Sequence, residues 1–155
     1  MHIRVSLRII GVLLMLFSVA MLPPMGFGLA ANDGSAHAFA IAFATNIFAG
    51  VVLWLTTRNA RSDLRIRDGF LVTALFWIVL GLFGSVPFIL SDALELSVTE
   101  AVFESMSGLT TTGATVIVGL DELPRSLLFY RQLLQWLGGI GIIVLAVAIL
   151  PMLGI

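Results

Sequence analysis

Apolar segments about 20 residues long recur along this chain, at roughly 5–30, 37–57, 69–91 and 126–150. Each is long enough to cross a hydrocarbon core of roughly 30 Å as a helix. A backbone inside lipid must satisfy its own N–H and C=O groups, so such segments are helical or belong to a closed barrel, and their length fits helices. Composition agrees: 59% of the residues are hydrophobic and 11% charged, where a soluble domain carries about 25% charged residues. The expectation is an all-α integral membrane protein with four transmembrane helices. Pro23 and Pro24 lie past the middle of the first segment and predict a kink there. The segment is too long for a signal peptide and lacks its small-residue cleavage pattern. "GSVPF", from Gly84 to Phe88, predicts a second kink near the end of the third segment.

Charge sets the expected orientation. The chain has eight arginines and no lysine; Arg4 and Arg8 precede the first apolar run, and Arg58, Arg61, Arg65 and Arg67 cluster between the second and third. Seven of the nine acids, namely Asp33, Asp92, Glu95, Glu100, Glu104, Asp121 and Glu122, fall in the opposite set of loops and ends. Cytoplasmic loops are enriched in Lys and Arg, so the N-terminus and the arginine loop are expected in the cytoplasm. The arginine loop reads as a topology signal, and no nucleic-acid partner is expected. With no cysteine in the chain, disulfides, thiol catalysis and thiolate metal sites are excluded. His2 and His37 are far apart and show no metal-ligand spacing. There is no Ser–His or Asp pair and no HExxH motif, so an intramembrane enzyme is not expected.

Segment 92–125 is too polar and broken to span. Within it, residues 98–108 carry a helical apolar pattern, with Ser97 or Thr99 placed to cap the start and Gly108 to end it. Eleven residues make a helix of about 16 Å, half a membrane, which must turn back if it enters. "LTTTGATV", from Leu109 to Val116, supplies β-branched residues that favour extended backbone and one glycine that permits positive φ. Non-helical backbone at membrane depth is tolerated only where it is buried in protein or lines a water-filled path. Residues 109–115 therefore read as a re-entrant, pore-lining strand, with a polar external loop as the other reading. Carbonyls of such a strand can replace the hydration shell of a cation. The short helix before it directs the negative end of its dipole the same way.

The run "FESMSGLTTTGATVIVGLDELP" followed by "FYRQLLQWLGGIGIIVLAVAILPMLGI" resembles the first pore unit of Trk-type potassium uptake proteins of the TrkH kind. "RDGFLVTALFWIVLGLFGSVPF" resembles the helix that precedes that unit's loop, and the first two helices match the family's extra leading pair. The resemblance implies two parts: 1–68, holding two leading helices and a basic loop, and 69–155, holding one helix–pore loop–helix unit. It also implies potassium transport across the bacterial inner membrane, with K⁺ as the transported ion and no organic cofactor. In that family four such units in one polypeptide surround one pathway, the protein forms a homodimer, and a cytoplasmic nucleotide-binding subunit regulates it. By position, the carbonyls of Thr111 and Thr112 should coordinate K⁺, with Thr110 and Gly113 flanking. Thr115 lies beyond these positions and should contribute much less.

Bland roles stand beside these. The Thr110 hydroxyl can cap the short helix. Glu100 and Glu104 are either a source of negative potential at a pore mouth or, for Glu104, a partner of Arg131, because a buried unpaired carboxylate is costly. Arg131 can also snorkel to the headgroups. Gly138, Gly139 and Gly141 either let helices pack closely or form a hinge. One strand cannot encircle an ion. The expectation is a fragment of a longer protein; a homotetrameric channel subunit and a non-conducting membrane scaffold or accessory subunit are the alternatives.

Overall fold

The structure, a computed structural model, describes residues 3–60 and 66–149, with backbone alone for 66–68 and 144–149. The described residues form helices without any strand: α1 (Ile3–Val19), α2 (Leu22–Ala31), α3 (Ala36–Thr57), α4 (Ile66–Gly84), α5 (Val86–Ile89), α6 (Val98–Leu109) and α7 (Arg125–Ile149), with a 3₁₀ turn at Leu120–Glu122. Three stretches, Ile3–Ala31, Ala36–Thr57 and Gly69–Ile89, are long and apolar enough to cross a membrane. The fourth expected span corresponds to α7, whose 25 residues measure about 37 Å; Leu150, at its expected end, lies outside the described residues, as do His2 and the arginines at 61 and 65.

Both expected kinks are breaks. The first helix stops at Val19 and α2 restarts with Pro23 and Pro24 in its opening turn. A proline ring there removes an N–H that has no intrahelical acceptor anyway. Asn32 ends α2 in the left-handed conformation (φ 51°), with its N–H on the Gly28 carbonyl. Likewise α4 stops at Gly84, Ser85 turns the chain, and α5 starts with Pro87 in its first turn.

The helix α1 lies mainly on α3 and α4, while α6 is held between α4 and α7. Lipid provides no hydrophobic drive between helices, so close packing of small residues matters more than in water. At the α1–α3 crossing, a Cβ added to Gly50 would lie 2.7 Å from the Gly11 carbonyl oxygen and one added to Gly11 2.9 Å from the Gly50 oxygen. Tyr130 anchors α7 at the core: it is fully buried, donates to the Gly84 carbonyl at 2.7 Å, and meets Phe39 and Phe88 at ring-centre distances of 5.3 and 5.2 Å. The short helix α6 is thereby fixed on two sides before its C-terminal loop begins.

Candidate functional site: the loop after α6

Ser97 caps α6 in a full capping box: Glu100 N–H donates to the Ser97 hydroxyl, and the Glu100 carboxylate accepts from Ser97 N–H at 2.8 Å and from its hydroxyl at 2.6 Å. That occupies Glu100 locally. At the other end the helix continues one residue past Gly108, to Leu109. Gly108 serves packing instead: an added Cβ would lie 2.9 Å from Leu134 Cβ on α7. A bare glycine inside the last turn is thus spent on helix contact and not on a left-handed cap.

The loop then folds onto the helix end. Thr110 N–H donates to the Met106 carbonyl at 2.9 Å, Thr111 N–H to Gly108 at 2.9 Å, and Thr112 and Gly113 N–H both to Ser107 at 3.0 and 3.3 Å. The Ser107 hydroxyl donates to the Ala114 carbonyl at 2.6 Å. Four successive N–H groups of the loop therefore satisfy carbonyls that a helix end leaves open. The carbonyls of residues 110–113 accept no hydrogen bond from any described residue. The four residues are exposed.

This backbone is not the extended strand expected for 109–115. Gly113 has φ +74°, and Thr111 has φ +58°. A β-branched residue at positive φ is a genuine outlier, with a cost on the order of 1–3 kcal/mol. The reversal of φ at alternate residues lets N–H groups turn to the helix while the chain advances. Thr110 takes the capping role as well: its hydroxyl donates to the Met106 carbonyl at 2.7 Å and lies 2.9 Å from the Thr112 hydroxyl.

Glu104 is 1% exposed and Arg131 7% exposed, and Arg131 Nε lies 2.9 Å from Glu104 Oε2. The other carboxylate oxygen accepts from the Thr115 hydroxyl and from Val116 N–H at 2.7 Å. The two partners neutralise each other, so Glu104 adds no net field at a mouth and Arg131 does not snorkel to the surface. The carboxylate instead joins three segments: α6, α7 and the outgoing leg of the loop. Thr115, expected to matter little, is one of its donors and also accepts from Ile117 N–H at 3.0 Å. No spacing rule in the sequence links positions 104 and 115, because their pairing exists only once the loop has folded back.

Of the three α7 glycines, Gly138 is the close contact: an added Cβ would stand 1.9 Å from the Leu109 carbonyl oxygen. At Gly139 the nearest atom is Thr111 Cγ2 at 4.0 Å, and at Gly141 the Phe76 ring at 3.6 Å. Away from the loop, Asp33 in the α2–α3 turn reaches the start of α7. One oxygen accepts from Ser35 N–H and hydroxyl at 3.1 and 2.6 Å, the other from the Ser126 hydroxyl at 2.7 Å and Ser126 N–H at 3.4 Å. Partial burial opposes its charged form, but these hydrogen bonds outweigh it and hold the Asp33 carboxyl below the usual range.

The family described as TrkH, cation transport protein, matches residues 35–155. The Trk system potassium uptake protein TrkH of Halomonas elongata is 59% identical over 155 residues, which are 100% of this chain and 32% of that protein. The TrkH of Escherichia coli is 53% identical over the same 155 residues, again 32% of its length. The crystal structure of the potassium transporter TrkH from Vibrio parahaemolyticus superposes with a TM-score of 0.94 at 57% identity, over 100% of this chain and 33% of that one. The chain spans about a third of the length of the curated relatives it matches.

Proposed function

Because the chain belongs to the TrkH family of cation transport proteins, we propose that it forms the first pore unit, with its two leading helices, of a K⁺-translocating membrane protein. In this reading 69–155 is one helix–pore loop–helix unit, α6 is the pore helix entering from the outside face, and Thr110–Gly113 are the filter strand. The observation that carries it is the division of the loop backbone: N–H groups of 110–113 face the end of α6, and their carbonyls accept no hydrogen bond from any described residue. A dehydrating K⁺ needs such a row of carbonyl dipoles. The C-terminal end of α6 adds partial negative charge on the same side. The Glu104–Arg131 pair holds the outgoing leg in place.

The row is one-sided, so further pore units complete the pathway. They come from the rest of a longer chain, in keeping with the share of the relatives' length that is matched. The assembled protein is a homodimer in the bacterial inner membrane, N-terminus in the cytoplasm, and works with a cytoplasmic nucleotide-binding subunit. The test is cysteine accessibility scanning of 99–118 in the full-length protein. Protection of 110–113 from a bulky external reagent, relieved at 118, is expected. Uniform labelling across the segment makes it a surface loop and ends the proposal.

A further inference from the structure

Beneath the tip of α6 lies a half-open cavity of 170 Å³. Leu16 and Phe17 of α1, Phe76 and Leu80 of α4, Leu137 of α7 and Leu109 at the end of α6 line it, and every lining residue is apolar. Leu16 and Phe17 fall near the middle of the apolar span Ile3–Ala31, Phe76 and Leu80 within the span Gly69–Ile89 and Leu137 near the middle of α7, which puts the cavity at the depth of the hydrocarbon. An apolar cavity of about 150 Å³ stays dry and takes apolar guests. A dry void here would leave Leu109 without dispersion partners on one side.

We propose that the acyl chain of a bilayer lipid occupies this cavity and supports the tip of the pore helix. The inference rests on the pore-unit reading for its geometry. The cavity is walled by α1, which packs chiefly on α3 and α4. Leu16, 63% exposed on α1, stands at its mouth. At hydrocarbon depth the abundant apolar guest is a lipid chain. Leu109 itself is 1% exposed and immediately precedes Thr110, so what fills the cavity bears on the residue from which the filter strand hangs.

The test uses the full-length protein in lipid nanodiscs containing a phospholipid with a photoactivatable diazirine in mid-chain. Peptides from 13–20 and 76–80 are expected to carry the lipid adduct after irradiation. Ala20 also lines the cavity, and Ala20→Trp, which fills it, is expected to lower that labelling at least fivefold with K⁺ uptake retained. A density map of the unmodified protein in the same nanodiscs is expected to show an elongated feature beneath Leu109. Labelling that Ala20→Trp leaves unchanged, or a map in which another protein segment or nothing fills the cavity, overturns the proposal. Labelling is read without any transport assay, so a failed filter assignment and a failed lipid site remain distinguishable.

Discussion

At Gly113 the backbone has φ +74° and an added Cβ would meet nothing within 4 Å. Any effect of Gly113→Ala must therefore come through the backbone, at a cost on the order of 1–2 kcal/mol. Relief of that strain tilts the neighbouring carbonyls, and selectivity depends on how many dipoles face the ion and how strongly. Gly113→Ala in the full-length protein should lower K⁺ over Na⁺ uptake at matched expression; unchanged discrimination would remove Gly113 from the filter. Thr115→Ala acts differently. It takes a donor from the buried Glu104 carboxylate, and we expect about 1–3 kcal/mol of lost stability, measured as earlier thermal unfolding in detergent. A variant as stable as the parent would show that Val116 N–H and Arg131 suffice. The glycine was legible in the sequence because threonines followed by one glycine need a special conformation somewhere. The positive φ of Thr111 was not, since its side chain argues against it and only the hydrogen bonds to the end of α6 explain it. Glu104 with Arg131 was legible as a pair by the cost of a buried charge; the clamp on Thr115 was not.

Between elements, α7 contributes its glycines unequally. A Cβ at Gly138 would stand 1.9 Å from the Leu109 carbonyl oxygen, whereas Gly139 has 4.0 Å to the nearest atom. Gly138→Ala should push the tip of α6 away and reduce K⁺ uptake and stability, by roughly 1–3 kcal/mol for overpacking. Gly139→Ala should fold at least as well as the parent, since alanine is the better helix former by about 1 kcal/mol. Equal melting temperatures and uptake for the two variants would show that the α6–α7 contact is soft. A second junction is electrostatic. Asp33 joins the α2–α3 turn to the start of α7, and its folded-state pKa is lowered from an ordinary value of 3.8. Its contribution is therefore complete above that ordinary value and is lost as pH falls through the lower folded one. Asp33→Asn should destabilise the protein at pH 7, and the gap between variant and parent should close only below about pH 4; a gap that narrows between pH 8 and 5 contradicts the assignment. The helices themselves could be read from the apolar runs, because lipid leaves the backbone few other choices. The prolines marked the two breaks but not their form, and nothing local relates Asp33 to a serine 93 residues away.

For the molecule as a whole, the question is what this length of chain can do alone. Its apolar surface is extensive, with Phe48 71%, Trp136 64% and Ile143 64% exposed, so insertion into a bilayer is expected without help from other units. Conduction is not. An ion that leaves water must be offered oxygen from several directions at once, and the loop offers carbonyls of residues 110–113 from one. On the remaining sides the ion would meet lipid, where a charge is strongly disfavoured. The arginines near the ends of α1 and α3 should hold the inserted chain in a single orientation. The isolated 155-residue chain, reconstituted into liposomes and checked for helicity and protease protection, should give no K⁺ flux above that of empty vesicles. The full-length protein under the same gradient should give flux selective for K⁺. A K⁺-selective flux from the isolated chain, abolished by Gly113→Ala, would instead require four copies to close the ring, and the pathway would then be a homotetramer's.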